Sequence, residues 1–213
     1  MKVLLINGSP NAKGCTYTAL SEVANTLNKH DIETEFLQVG KKPISGCISC
    51  HSCQSTHKCV FTDVVNEIGP RLDEFDGIIV GSPTYWASPS GQVIGLLDRL
   101  FYAYEKKMAG KVAAAVINNR RGGATAAFDV LNKYFTMTNM FVIGSQYWNQ
   151  THGFIPEDVK RDLEGMQTMR TLGQNMAYIL KCMEAAKQMG IEKPVYEERV
   201  FTHFMNIEVG HGH

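Results

Sequence analysis

Short apolar runs alternate with helical patterns along most of the chain, and this alternation limits the folds that it can adopt. Helical spacing of apolar residues recurs between the runs, as in 16–29 at Ala19, Leu20, Val23, Ala24 and Leu27. Strands that alternate with helices favour an α/β fold with a doubly wound, five-stranded parallel sheet. The five runs predicted as strands are KVLLIN (2–7), ETEFLQV (33–39), DGIIVG (76–81), VAAAVIN (112–118) and MFVIGS (140–145).

The helical patterns complete one domain, which we assign to residues 1–190. Helices are predicted near 62–74, 91–104 and 123–135, and a long one near 156–189 breaks at Gly165 or Gly173. With 44% hydrophobic and 20% charged residues in 213, the chain has enough apolar side chains for a core of this size. Residues 43–61 form a cysteine loop inserted after the second strand. Residues 191–213 form a C-terminal tail that we expect to pack on a neighbouring subunit.

Charge and hydropathy exclude several classes of partner. Lys+Arg and Asp+Glu both number 21, which argues against nucleic acid or an acidic membrane surface as the main partner. The first apolar run ends at polar Asn7, unlike a signal peptide, and no stretch approaches the roughly 18 apolar residues of a membrane span. We therefore expect a cytoplasmic protein with no membrane partner, whose thiols stay reduced.

The loop after the first strand, Gly8 to Thr16, has the composition of an anion site. Its small residues allow backbone N–H groups to close around a phosphate at a helix N-terminus, and Ser9 and Thr16 add hydroxyls. It matches neither G-x-G-x-x-G nor Walker A, which disfavours a dinucleotide fold or an NTPase. The alternative is a tight turn in which Thr16 is only a helix N-cap.

Two further loops follow strands of the same sheet. After the third strand, Tyr85 and Trp86 are placed to contact a flat ring, unless they simply belong to the core. No Asp or Glu occurs in 81–91, so no carboxylate there would repel an anionic reduced flavin. After the fourth strand, Arg120 is placed to face a flavin carbonyl or a nicotinamide phosphate, the alternative being a solvated Arg120–Arg121 pair.

Four of the six cysteines lie in one short segment with the spacing C-x2-C-x2-C-x5-C. Four thiolates so close together can surround one [4Fe–4S] cluster. A metal-free thiol loop and a zinc site remain alternatives, although structural zinc sites usually have two separated ligand pairs. His51 and His57 are expected to be solvated, and Cys182 to be a buried hydrophobe. The four predicted ligands are Cys47, Cys50, Cys53 and Cys59.

The motifs GSPNAKGCT, GSPTYWASPSGQVIGLLDR and RRGGAT, in this order, resemble the flavodoxin-fold NADPH-dependent FMN reductases. With the cysteine loop added, the resemblance is to the iron–sulfur flavoproteins, and it extends over roughly residues 1–180. It implies a [4Fe–4S] cluster on the four cysteines and a phosphate site at Ser9, Lys13, Gly14, Cys15 and Thr16. It also implies ring contacts at Ser82, Pro83, Thr84, Tyr85 and Trp86, and further contacts at Asn119, Arg120, Gly122 and Gly123.

Two other points come from the resemblance. The family usually has Asn where this chain has Cys15, which leaves that phosphate contact to the backbone or removes it. The stretch Tyr147-Trp148-Asn149 with His152-Gly153 also resembles the family and implies a cover for the flavin edge.

The sequence therefore predicts an FMN-dependent oxidoreductase or electron-transfer flavoprotein. It would move electrons between NAD(P)H or a ferredoxin-like donor and an acceptor, with the chemistry supplied by its cofactors. The alternatives are a cluster-free NAD(P)H-dependent FMN or quinone reductase and a non-catalytic electron carrier of flavodoxin type. A homodimer or homotetramer is expected, because the resemblance implies an oligomer whose flavin sites lie at subunit contacts.

Overall fold

The computed structural model describes residues 1–198, 200 and 202, and within them it has the predicted parallel sheet. All strand pairs are parallel, in the order β2-β1-β3-β4-β5, with β6 also paired to β4. The strand order reverses between β1 and β3, and at such a point the loops diverge and leave a crevice. The strands are β1 (Lys2–Asn7), β2 (Glu33–Gln38), β3 (Gly77–Pro83), β4 (Val112–Asn119), β5 (Phe141–Val142) and β6 (Gln150–His152).

Helices cover both faces of the sheet, which confirms the doubly wound α/β class. They are α1 (Cys15–Asn28), α2 (Ser52–Thr56), α3 (Val64–Ile68), α4 (Gly91–Ala103), α5 (Ala124–Met137), α6 (Pro156–Arg161) and α7 (Leu163–Gln188). The helix predicted near 62–74 is divided, because α3 is followed by a 3₁₀ segment, Gly69–Glu74, which contains Pro70.

Successive residues of the central strands point to opposite layers. In β1, Val3 and Leu5 pack with α1 and α7, whereas Leu4 and Ile6 pack with α3, α4 and α5. Burial on both faces explains why these strands are continuous apolar runs rather than alternating ones.

The fifth strand predicted at 140–145 is wrong in extent. Only Phe141–Val142 form β5, which pairs with the start of β4, and β6 pairs with the end of β4. Between them the chain leaves the sheet over residues 143–149. Backbone bonds from Ile143 N to Ala113 O (2.8 Å) and from Ile117 N to Asn149 O (2.9 Å) close the two ends of this excursion. We call β5, the excursion and β6 the split edge strand.

The C-terminal helices also differ from the prediction. The break falls at neither Gly165 nor Gly173 but at Asp162, whose side chain accepts a hydrogen bond from Gly165 N at 2.9 Å. A Cβ on Gly173 would lie 2.7 Å from Thr26 Cβ, so this glycine allows α7 to approach α1 closely.

Cys182 is exposed, so its prediction as a buried hydrophobe is wrong: the last buried residue of α7 is Leu180. Residues 191–198 are exposed and have neither helix nor strand. Much of the predicted tail lies outside the described residues. None of the helices that the structure describes is both long and apolar enough to cross a bilayer.

Candidate functional site

Backbone hydrogen bonds join the loops that follow β1, β3 and β4. Gly8 N donates to Gly81 O at 2.8 Å, and Thr84 N donates to Asn118 O at 2.9 Å. A Cβ on Gly8 would lie 2.8 Å from Gly81 O, so the first contact requires glycine. The three loops singled out in the sequence therefore meet at the carboxyl edge of the sheet. We call residues 8–16, 82–90 and 118–123 the three-loop cradle.

The first loop is braced by two amide side chains that the sequence analysis missed. Asn7 Nδ2 donates to Gln38 Oε1 at 2.6 Å, and Gln38 Nε2 donates to Ser9 O at 2.6 Å. Ser9 N donates to Asn7 Oδ1 at 3.2 Å, and Ser9 Oγ accepts from Asn11 N at 3.1 Å. The loop conformation is thus fixed from the ends of β1 and β2, and the Ser9 hydroxyl already has one partner.

Thr16 is buried at the start of α1, and its hydroxyl has no hydrogen-bond partner in the described part of the chain. Gly14 is the N-cap of this helix, so the interpretation of Thr16 as a mere N-cap is wrong. The residue is 1% exposed, its Oγ1 is unpaired, and the first turn holds no acidic side chain. An unpaired buried hydroxyl is costly, so this position fits a ligand with hydrogen-bonding oxygens.

Lys13 and Cys15 flank the same helix start. The Lys13 side chain is exposed. Burial raises the pKa of Cys15, and the nearby charges of Asp158 and Glu157 raise it further. The thiol therefore stays neutral and adds no negative charge beside an anion.

The second loop ends in a strained turn that carries an exposed tryptophan. Tyr85 and Ser88 exchange backbone hydrogen bonds of 2.8 and 2.9 Å, and between them Trp86 and Ala87 have φ of 51° and 57°. The left-handed region is unfavourable for such residues, and strain of this kind concentrates at functional sites. The Trp86 side chain is fully exposed, so its interpretation as core is wrong.

Ser82, in the same loop, has a structural role. It is fully buried, its hydroxyl donates to Pro83 O at 2.8 Å, and it accepts from Ser90 N at 2.9 Å. Ser90 Oγ in turn donates to Gly8 O at 2.6 Å. Ser82, which was predicted to contact the flavin ring, thus helps to hold the first and second loops together through Ser90.

The third loop touches the second and carries a buried, unpaired amide. Gly123 has φ of 88°, and a Cβ there would lie 2.9 Å from Ala87 Cα. Asn119 is 4% exposed, yet neither its Oδ1 nor its Nδ2 has a partner, and Thr84 Oγ1 is unpaired as well. Arg120 is exposed. The predicted residues Arg121 and Gly122 are exposed beside it.

The excursion of the split edge strand forms an aromatic wall near the cradle. The rings of Tyr147 and Trp148 lie 4.8 Å apart edge to face, and each side chain is half exposed. Buried Asn149 holds the excursion, because it accepts from Ser145 Oγ at 2.7 Å and donates to Ile143 O at 3.4 Å. His152 follows in β6, and Gly153 N donates to Asn119 O at 3.0 Å. The stretch therefore continues the rim of the third loop.

The four clustered cysteines line one pocket together with Phe61, Arg99 and Tyr102. Cys47 and Cys50 are exposed, and Cys53 and Cys59 are half-buried. Burial and then the charges of the other three cysteines raise the pKa of Cys53, which places the four thiols in one electrostatic neighbourhood. Within residues 1–198, 200 and 202, however, no three His, Cys, Asp or Glu side chains are gathered closely enough to hold a metal ion. His51 and His57 are exposed, as expected.

Arg99 anchors the end of the cysteine loop, and the sequence analysis missed it. This α4 residue is 2% exposed, and its Nε donates to Cys59 Sγ at 3.1 Å. Asn66 holds the same cysteine by its backbone, accepting from Cys59 N at 3.0 Å and donating to Cys59 O at 2.7 Å. The available signal was a lone arginine in the apolar run of GQVIGLLDRLFYA.

The cysteines lie further from the cradle than the position of their loop after β2 predicts. Gln92 Nε2 donates to Lys42 O at 3.3 Å, and a Cβ on Gly95 would lie 3.2 Å from Ile44 O. The loop thus follows α4 away from the carboxyl edge until it reaches Arg99. At 1.5 Å per residue, the nine positions from Ser90 to Arg99 span roughly 13 Å. The thiols therefore lie away from the carboxyl edge at which their loop begins, because contacts with α4 carry the loop along its flank.

Comparison with known proteins agrees with this architecture. Residues 1–154 match the NADPH-dependent FMN reductase family. The chain belongs to this family. An iron–sulfur flavoprotein of Methanocaldococcus jannaschii is 34% identical over 194 residues, which cover 86% of this chain and all of the relative. The predicted resemblance to these FMN-binding oxidoreductases is confirmed.

Solved structures show the same fold at lower identity. The NAD(P)H:quinone oxidoreductase from Methanothermobacter marburgensis has a TM-score of 0.66 and 15% identity, covering 83% of this chain and 96% of that one. RosB with bound 8-demethyl-8-formylriboflavin-5'-phosphate has a TM-score of 0.68 and 14% identity, covering 100% of this chain and 96% of that one. At these identities the structural similarity shows a shared fold only.

Proposed function

We propose that this FMN reductase family member binds FMN in the three-loop cradle, carries a [4Fe–4S] cluster on the cysteine loop, and passes electrons between them. The observation that carries the FMN site is the set of unpaired buried polar atoms in the three loops. Thr16 Oγ1, Thr84 Oγ1 and both amide atoms of Asn119 lack partners among the residues that the structure describes, although such atoms are nearly always bonded. One polar ligand held by all three loops would satisfy them together.

The phosphate of FMN is assigned to the first loop. Backbone amides at the start of α1 and the Thr16 hydroxyl would donate to it, while exposed Lys13 would add positive charge. Ser9 and Gly14 shape the loop, and neutral Cys15 offers its backbone amide. Within the described residues only one such cradle is evident, which favours FMN over FAD.

The flavin ring is assigned to the second and third loops. Pro83 to Trp86 would contact it from one side, with Thr84 Oγ1 free to bond its polar edge. Asn119 and Gly123 would border it from the other side, because Gly123 brings the third loop onto Ala87. Arg120 and Gly122 extend this border into solvent, where the guanidinium of Arg120 is placed to meet a phosphate of NAD(P)H.

The cysteine loop has the donor set of an iron–sulfur site. Its four thiols share one pocket, and soft thiolate ligands favour iron–sulfur clusters. When bound, FMN supplies two-electron acceptance and the cluster supplies one-electron transfer, so the pair links a hydride donor to a one-electron carrier. The cluster would exchange electrons with the FMN of the same chain or of another subunit, or with a redox partner such as ferredoxin.

Anaerobic purification tests the proposal. We expect flavin released by heat to be FMN at about one equivalent per chain, and iron and sulfide to match one [4Fe–4S] cluster per chain. Turnover with NADH or NADPH and an acceptor would distinguish an enzyme from a non-catalytic carrier. Recovery of FAD, or no flavin affinity after reconstitution, would contradict the cradle assignment.

A second candidate is a cluster-free NAD(P)H-dependent FMN or quinone reductase. The exposure of Cys47 and Cys50 favours it, because two of the four thiols are open to solvent rather than enclosed. This candidate predicts FMN and NAD(P)H turnover with only trace iron after anaerobic reconstitution.

We further propose a cytoplasmic homodimer or homotetramer. Trp86 in the cradle and Tyr147, Trp148 and Phe154 on either side of β6 are exposed, and exposed aromatic side chains of this kind are enriched at subunit contacts. Light scattering at micromolar concentration is expected to give a mass above one chain, and a monomer would contradict the proposal.

A further inference from the structure

The guanidinium of Arg99 contacts the chain on both sides of the four-cysteine segment. Its Nη1 donates to Ser45 O at 3.2 Å, just before Cys47, and to Asp63 Oδ2 at 2.7 Å, after Cys59. Its Nη2 donates to Asp63 Oδ1 at 2.8 Å. One side chain of α4 therefore joins the two stems of a loop that is otherwise exposed.

The remaining donor of Arg99 points at a predicted ligand. Nε donates to Cys59 Sγ at 3.1 Å, and the guanidinium carbon lies 4.7 Å from the centre of the Phe61 ring. Every part of the planar fork is thus engaged: both terminal nitrogens with the stems, Nε with the sulfur and one face with the ring. Lysine lacks this geometry and cannot replace it.

Burial makes the position of Arg99 dependent on its partners. The Arg99 side chain is 1% exposed, whereas that of its partner Asp63 is 32% exposed. A buried charge without its partner is costly, so Arg99 retains this position only while Asp63 and the loop stems remain in contact with it. The same buried charge lies beside the sulfur of a predicted cluster ligand.

We propose that Arg99 is a positioning residue that clamps the cysteine loop and donates a hydrogen bond to the Cys59 sulfur. The second role rests on the proposed function, because it applies when that sulfur ligates a cluster. The clamp brings both stems to one point of α4 and thereby brings the four thiols into one pocket before any metal arrives. Hydrogen bonds to ligand sulfurs and nearby positive charge stabilise the extra electron of a reduced cluster. Arg99 would therefore raise the reduction potential of the cluster.

The first experiment measures amide hydrogen exchange in the metal-free, full-length protein, for the wild type and for Arg99→Met, Arg99→Lys and Asp63→Asn. Exchange of the Cys59 amide, which donates to Asn66 Oδ1 at 3.0 Å, is expected to become about tenfold faster or more in Arg99→Met, because hydrogen bonds to a charged group are lost beside it. Arg99→Lys and Asp63→Asn should show smaller increases at the same amide. Arg71→Met is the matched control, since Arg71 also pairs bidentately with a carboxylate, that of Glu35, but touches no part of the loop.

The second experiment follows anaerobic reconstitution with iron and sulfide. Arg99→Met is expected to retain less than about half of the wild-type iron, with a lower midpoint potential for the cluster that remains. FMN content should stay at the wild-type level. Iron content and potential in Arg71→Met should match the wild type.

The outcomes separate this inference from the proposed function. Wild-type exchange rates in the loop of Arg99→Met would overturn the clamp, whatever the iron content. Unchanged potential and iron content in that variant would overturn the hydrogen bond to a cluster ligand. Failure of the wild type to take up iron would defeat the cluster, while the exchange rates would still decide the clamp. If Arg99→Met does not fold, Arg99→Lys and Asp63→Asn decide it by the same measurements.

Discussion

The three-loop cradle and the cysteine loop both begin at the carboxyl edge of the sheet, but they are held in different ways. The cradle is closed by backbone bonds such as Thr84 N to Asn118 O at 2.9 Å, and two of its polar candidates, Thr16 and Asn119, are buried. The cysteine loop has two exposed thiols and depends on contacts of one α4 arginine and of Asn66.

The cradle is a site that forms together with the fold, whereas the cysteine loop is a site that is attached to the finished fold. The cradle loops begin where strands of the sheet end, so folding of the sheet places them. The cysteine loop is joined to the core through side chains, and its exposed part has few contacts. Regions of that kind open locally at lower free energy than the core. Each prediction below perturbs one region and measures both.

The largest expected effect is loss of the cluster in Cys59→Ser. Removal of one ligand should abolish stable iron binding after anaerobic reconstitution, because hydroxyl oxygen is a poor substitute for a soft thiolate. FMN content should not change, since the cradle shares no residue with the cysteine loop. Cys182→Ser is the control, because this exposed cysteine of α7 lies outside the loop. Full iron content in Cys59→Ser, or parallel loss of FMN, would contradict the separation of the two regions.

A smaller effect is expected from Gly123→Ala. The change forces a side chain into φ of 88° and places its Cβ 2.9 Å from Ala87 Cα, so the second and third loops must separate. We expect FMN affinity to fall by about 3 kcal/mol, the upper end for local backbone strain. Isothermal titration with FMN measures this loss. Gly40→Ala, which has a similar φ of 78° but lies outside the cradle and meets nothing within 4 Å, should bind normally, and equal losses in both variants would disprove the mechanism.

Thr16→Val tests the unpaired hydroxyl with little change of volume. Loss of one donor to the phosphate should weaken FMN by about 1.5 kcal/mol, the lower end for a bond to a charged group. Thr26→Val is the matched control in the same helix, because the Thr26 hydroxyl already donates to Glu22 O at 2.9 Å. If both variants bind FMN like the wild type, the phosphate must lie elsewhere.

The smallest effect is expected at Arg71, which supports neither region. Hydrogen bonds from Arg71 and then from Lys2 lower the pKa of Glu35 from 4.5 to about 2. A carboxylate whose pKa is lowered by folding stabilises the folded state at pH values above its ordinary pKa. This contribution disappears as the pH falls from about 4.5 towards 2.

Arg71→Met should therefore lower the free energy of unfolding only slightly at neutral pH, because the pair is solvent-screened. At pH 3 the loss of unfolding free energy in this variant, measured by urea unfolding, should be smaller than at pH 7. FMN and iron content should stay unchanged. A larger loss at pH 3 than at pH 7 would have the wrong sign for this mechanism.

The sequence was most informative where burial on both faces leaves a simple pattern. The core of β1, of β3 and of β4 could be predicted because parallel strands covered by two helical layers are continuous apolar runs. The loops after them follow from strand order alone. The split edge strand could not be predicted, because MFVI (140–143) is a continuous apolar run while only Phe141 and Val142 pair as β5.

The supporting residues could not be predicted because their partners are distant in sequence. Gln38 braces Ser9 across 29 positions, and Arg99 reaches Cys59 across 40. Cys182 was misjudged because helical spacing does not reveal that the buried stripe of α7 ends at Leu180. Tertiary contacts decided each of these cases.

The split edge strand has a consequence for how this scaffold can diversify. Its excursion leaves and rejoins the sheet at fixed bonds to β4, from Ile143 N to Ala113 O and from Ile117 N to Asn149 O. Residues between these two points can be exchanged or lengthened without altering the register of any central strand, as surface insertions generally permit. The aromatic wall can therefore change in sequence and length while the central strands keep theirs.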